Sequence, residues 1–113
     1  MPELNTIRNA IDAIAAGKFV IVVDDEDREN EGDLIIAAET VTPDDMAFMV
    51  KHTSGVVCCP ITNERADALQ LPLMVANNTE AMGTAFTVSV DVVEGTTTGI
   101  SASDRSLTCK ALA

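Results

Sequence analysis

At 113 residues and 47% apolar side chains, the chain has the size and composition of one small globular domain with a real core, built from Val, Ile, Leu, Met and Ala because Trp and Tyr are absent and Phe occurs three times. Eighteen acidic residues against seven basic ones leave a formal net charge of −11, which excludes nucleic acid and anionic membranes as partners and points to a cationic or metal-bridged one. No run approaches the roughly 20 apolar residues of a membrane span. Three cysteines, two of them adjacent (Cys58 and Cys59), form neither a disulfide framework nor a CxxC pattern. The N-terminus shows no basic segment followed by an apolar one, so the expected compartment is the cytoplasm.

The first predicted element is a helix over Leu4 to Ala16. Ile7, Ala10, Ile11 and Ile14 share one face, and Gly17 is placed to end it. Phe19 to Val23 and Leu34 to Ala38 read as two short buried strands rich in β-branched residues. Thr42-Pro43-Asp44-Asp45 then starts a second helix running to about Thr53, with an N-cap, a proline at the first helical position and two acids at the positive helix end. Val56 to Ile61 reads as a third strand and Asn63 to Leu69 as a short helix capped by Thr62 or Asn63. Met74 to Gly83 is expected to be a mobile surface loop. Phe86, Val88, Val90 and Val92 alternate with more polar residues and predict a strand with one buried face. A last helix begins near Asp104-Arg105, with Ser101 or Ser103 as its cap, and carries a start signal without a stop signal.

Between the first two strands lies Asp24-Asp25-Glu26-Asp27-Arg28-Glu29-Asn30-Glu31-Gly32-Asp33, with seven carboxylates and one guanidinium in ten residues. Like charges this close disfavour one another's ionised form, so a folded loop of this composition needs a cation, an arginine partner or abundant water. A solvated surface run is the ordinary reading of such a cluster, but clamping between two core strands argues against it. A calcium loop fits in part. Asp27, Glu29, Glu31 and Gly32 take the first, third, fifth and sixth places of an EF-hand frame, but the twelfth place is Ala38 and the flanks read as strands rather than helices. What remains is a catalytic hard-cation site, in which Mg2+ takes one or two protein carboxylates and completes its shell with water and substrate oxygens. A second carboxylate moves protons, and Arg28 anchors an anionic substrate or restrains a carboxylate. The competing class is a non-catalytic acidic module that binds Ca2+ or a basic protein through the same residues.

Elsewhere the residues leave alternatives open. Gly95 to Ser101 contains three threonines between two glycines, the composition of an anion-binding turn or of an ordinary β-turn, and it leads into a helix N-terminus that attracts phosphate. His52 is either a packing residue at a helix C-terminus or a catalytic group. Cys58 and Cys59 read as small core residues, with Cys58 as one that can edge a site.

The acidic run resembles the signature loop of the 3,4-dihydroxy-2-butanone 4-phosphate synthase family. So do Lys51 to Gly55, Leu71 to Val75, Asn77 to Thr79, Gly83 to Val88 and Thr98 to Arg105. The resemblance implies an α+β fold, a mixed sheet with packed helices that dimerises with its sites at the subunit interface. It also implies a Mg2+-dependent lyase of riboflavin biosynthesis, with Mn2+ as a second usable ion, that converts ribulose 5-phosphate to 3,4-dihydroxy-2-butanone 4-phosphate and formate. Glu29 is then the metal ligand, and Arg28 and Glu29 line the substrate site. Asp33 contacts the sugar and takes part in acid/base steps, while Cys58 and the Thr98 stretch lie near the substrate. Family members are about twice as long, so residues 1–113 are expected to be the N-terminal portion of a single domain. The absent half would carry a Gly-His-Thr segment with the second metal ligand and a further catalytic Glu. Such a half is expected to expose core surface and to associate or be partly disordered in isolation.

Overall fold

The structure, a computed structural model, describes residues 3–113; Met1 and Pro2 of the expected 1–113 unit lie outside them. Its elements run α1 (Ile7–Ala15), β1 (Val20–Val23), β2 (Gly32–Ile35), α2 (Pro43–His52), α3 (Asn63–Ala68) and α4 (Ala102–Leu112). The helices start where the sequence places caps. Thr6 accepts the Asn9 amide at the start of α1, and Thr62 accepts the Arg65 amide at the start of α3. At α2, Thr42 and Asp45 form a reciprocal capping box with Pro43 in the first turn. α1 ends because Gly17 adopts φ +70, which lets the Lys18 amide reach back to the Ala13 carbonyl at 2.9 Å.

β1 and β2 pair antiparallel in the register Val20↔Ile35, Ile21↔Leu34, Val22↔Asp33 and Val23↔Gly32, so the acidic run is the connection of a hairpin. α1 packs on β1, and α2 packs on α4. A tilted ring contact of 5.4 Å between Phe19, at the foot of β1, and Phe48 of α2 joins the two parts. The fully buried core is small. Val41 and Met46 are each 1% exposed, and the buried members of α4 are the polar Asp104, Ser106 and Thr108. Each of the three is satisfied. Ser106 Oγ donates to the Ser103 carbonyl at 2.8 Å, and the Thr108 hydroxyl accepts the Val92 amide at 3.1 Å. Asp104 is bonded as described below.

The α+β class stands, while several element boundaries and burials are corrected. The expected mixed sheet is represented among the described residues by one antiparallel pair. β2 begins at Gly32, earlier than expected, and releases the chain after Ile35. The segment 56–61 forms no strand, and 86–93 makes only an isolated bridge, Leu73↔Thr87, flanked by Met74 N–H to Phe86 O and Val88 N–H to Pro72 O. Alternating hydrophobicity describes what a segment does beside a neighbour; only the stretch around Leu73 offers one here. The expected burial of β1 is not found either, since Ile21 is 72% exposed and Val22 and Val23 about half exposed, α1 covering the strand only in part. Phe86, Val88 and Val90 are exposed as well.

Candidate active site

The hairpin connection is organised by its first residue. Asp24 Oδ2 accepts the Glu29 amide and Asp24 Oδ1 accepts the Glu31 amide, both at 2.9 Å, while the Asp24 amide donates to the Glu31 carbonyl at 3.4 Å. A turn closed by Arg28 N–H to Asp25 O lies inside this ring, and Asn30 adopts φ +51 in the left-handed region, where Asn is tolerated more readily than most residues. The two amides hold the Asp24 carboxyl below the ordinary aspartate range because they favour its charged form. Asp24 is half-buried, and every other residue from Asp25 to Asp33 is exposed.

Arg28 and Glu29 therefore stand on the exposed tip, and Arg28 makes no ion pair among the described residues. Asp33 lies on β2 opposite Val22, one rung in from the loop. Cross-strand partners share a sheet face and alternate residues face the same way, so its carboxylate shares a face with Val20, Val22 and Ile35. Glu29 and Asp33 are thus carried by one hairpin. Cys58 and Thr98 are carried by other segments of the chain. Cys58 is exposed between α2 and α3, its thiol directed to the Val56 carbonyl at 3.7 Å, and Thr98 is exposed in the turn before α4. No three His, Cys, Asp or Glu side chains converge in a metal-binding group among the described residues. An exposed, singly presented Glu29 fits a hard cation that draws its remaining ligands from water, substrate and other chain segments.

The threonine turn corrects the phosphate reading. The Thr97 amide and hydroxyl and the Gly99 amide all donate to Asp104 Oδ2, at 3.0, 2.8 and 3.0 Å, and Ser101 Oγ caps α4 by accepting the Asp104 amide. The anion in this turn is the chain's own carboxylate, held below the ordinary range by the Thr97 hydroxyl first and the backbone amides next. Thr98 is left free of this network. His52 takes the packing alternative, its ring 4.5 Å from Phe48 at the end of α2. Cys59 and Cys109 are half-buried neighbours, and burial raises both thiols. The loop expected to be mobile has its own carboxylate. Glu80 accepts the Met82 and Thr84 amides at 3.0 and 2.8 Å, and Asn78 donates to the Thr84 carbonyl.

Sequence reasoning missed the anchoring roles of Asp24, Glu80 and Asp104. The pattern Ser101-Ala102-Ser103-Asp104, which has the spacing of a helix-start signature, marks Asp104 as a carboxylate at a helix entry. No comparable spacing singles out Asp24 among its acidic neighbours.

The architecture is that of a known enzyme class. A crystal structure of 3,4-dihydroxy-2-butanone 4-phosphate synthase in complex with two magnesium ions superposes with a TM-score of 0.94 at 57% identity, over 97% of this chain and 51% of that one. A cation-free form of such a synthase superposes with a TM-score of 0.88 at 54% identity, over 98% of this chain and 50% of that one. The family model for 3,4-dihydroxy-2-butanone 4-phosphate synthase matches residues 8–113, and the chain belongs to that family. A relative of that name from Agrobacterium fabrum is 60% identical over 106 residues, covering 94% of this chain and 50% of the relative. The riboflavin biosynthesis protein RibBA of Nocardia farcinica is 59% identical over 113 residues, covering 100% of this chain and 27% of that protein. The chain thus spans about half the length of the first relative and about a quarter of the second.

Proposed function

We propose that the chain supplies the N-terminal portion of a Mg2+-dependent 3,4-dihydroxy-2-butanone 4-phosphate synthase, which converts ribulose 5-phosphate to L-3,4-dihydroxy-2-butanone 4-phosphate and formate in riboflavin biosynthesis. The observation that carries this reading is the 60% identity to a synthase over 94% of the chain, with the acidic hairpin inside the matched region. Glu29 is the metal ligand contributed by this portion, and Mn2+ is the alternative ion. Bound metal supplies positive charge against the negative charge that develops when a proton leaves the carbon beside the substrate carbonyl. Arg28 offers forked donors to the anionic substrate. Asp33, on an exposed sheet face beside the loop, contacts the sugar and exchanges protons with it. Thr98, unused by the Asp104 network, and exposed Cys58 are the remaining substrate-side groups. The working assembly is a homodimer in the cytoplasm; no helix among the described residues is long and apolar enough to cross a membrane.

The test is formate release from ribulose 5-phosphate with and without Mg2+, using this chain alone and this chain extended by the C-terminal half that its relatives carry. The extended protein is expected to release formate only with metal, and the chain alone to release little or none. Glu29→Gln in the extended protein is expected to lower the rate by on the order of 10²-fold or more, the scale of a lost transition-state charge interaction. No formate from the extended wild-type protein would overturn the assignment, metal-independent release would overturn the Mg2+ requirement, and an unaffected Glu29→Gln variant would remove Glu29 from the metal site.

A further inference from the structure

We propose that Asp24 is the positioning residue of the acidic loop, fixing the direction in which Glu29 presents its carboxylate to the divalent cation; the inference rests on the lyase reading above. The two oxygens of Asp24 are divided between two amides, those of Glu29 and Glu31, at equal distances of 2.9 Å. Between them, Asn30 turns the backbone into the left-handed region, so the amides on either side of it reach one carboxylate. Among the described residues no other carboxylate of the run from Asp24 to Asp33 accepts a hydrogen bond, and none is as buried. Seven acids therefore divide into one that faces inward to hold the backbone and six that face solvent. With its amide fixed, Glu29 has a fixed Cα–Cβ direction, and only its own rotamers remain to be chosen when it takes a ligand. An outer partner that restrains a ligating side chain commonly sets metal affinity by a factor of ten to a hundred, about the scale expected here.

The experiment uses the chain extended by its C-terminal half, as wild type and as Asp24→Asn, Asp24→Glu and Glu29→Gln. Asparagine keeps one acceptor oxygen and turns an NH2 against the second amide. Asp24→Asn is expected to weaken Mg2+ binding, measured by calorimetry without substrate, about tenfold. It is also expected to speed hydrogen exchange at the Glu29 and Glu31 amides while those of the β1–β2 pair keep their wild-type rates. Raising Mg2+ is expected to restore its kcat. Asp24→Glu, which keeps both oxygens, falls between Asp24→Asn and wild type, and it replaces Asp24→Asn should that variant fail to fold. Unchanged Mg2+ affinity and exchange in Asp24→Asn, or faster exchange throughout the hairpin, would overturn the positioning role. If Glu29→Gln retains wild-type Mg2+ affinity and formate release, Glu29 is not the ligand that Asp24 positions and the inference falls while the lyase reading stands; absence of formate from the wild-type extended protein would overturn the lyase reading itself.

Discussion

The acidic hairpin loop and the threonine turn are built around the same device, one carboxylate that collects the backbone N–H groups of its own neighbourhood, yet they end in opposite states. Asp24 is half-buried and reaches forward to Glu29 and Glu31 from the end of β1, leaving Arg28, Glu29 and Asp33 free in solvent. Asp104 is 4% exposed, reaches back from α4 to Thr97 and Gly99, and consumes the donors that the threonine run would otherwise offer a ligand. The difference lies in where the anchor sits. On a hairpin end, an anchored loop displays its side chains; on a helix packed against α2, an anchored turn becomes a joint of the fold. Composition alone says that donors and acids are present, whereas the tertiary position decides whether they face a ligand or each other.

Removing the deeper anchor is expected to have the largest effect. Asp104→Ala orphans two amides and a hydroxyl at once and is expected to give the greatest fall in melting temperature among these variants, with Asp104→Asn intermediate; calorimetric scans measure it. A melting temperature equal to that of Asp24→Ala would erase the proposed difference in depth. Gly99→Ala comes next, at about 1–3 kcal/mol of unfolding free energy by urea titration. Gly99 sits at φ +86, and a Cβ there would overlap the Asp91 carboxylate. Adding Asp91→Ala should recover the steric part of that cost and leave the backbone part.

Acidification compares the two anchors directly. Both carboxyls lie below the ordinary aspartate value of 3.8, so the unfolded chain binds protons more readily than the folded one. Their contribution to stability is fully present above that value and is lost as pH falls through the depressed folded values. Urea midpoints followed from about pH 6 to about pH 2 are expected to drop over the lower part of that range, and Asp104→Asn should flatten the drop more than Asp24→Asn. The smallest effect on stability belongs to Arg28→Ala. With no ion pair to lose among the described residues, it is expected to stay within about 0.5 kcal/mol of wild type by urea titration, while raising KM for ribulose 5-phosphate in the extended protein.

The helix starts were legible because capping is local: Thr42-Pro43-Asp44-Asp45 and Thr62-Asn63 carry their instructions within four residues, and the structure follows them. The acidic loop was legible as a place, since a charge run between two β-branched segments has few other uses. Its internal arrangement was not, because Asp24 and Asp25 are chemically identical until the hairpin register sets which carboxylate faces the Glu29 and Glu31 amides. The strands at 56–61 and 86–93 were overread because a strand is a relation between two segments, and only Leu73 stands beside Thr87. The phosphate reading of the threonine run failed for a similar reason, as the partner that fills it comes from a helix five to seven residues away.

The chain has no tryptophan or tyrosine, and two of its three phenylalanines, Phe19 and Phe48, meet where the hairpin joins α2, with the His52 ring in a tilted contact with Phe48. That contact is an optically silent seam. An indole introduced at Phe48 would be the sole emitter in the near ultraviolet, placed between the two parts of the fold, and its colour and lifetime would register whether the hairpin stays seated on the helix, without a label or a reporter domain.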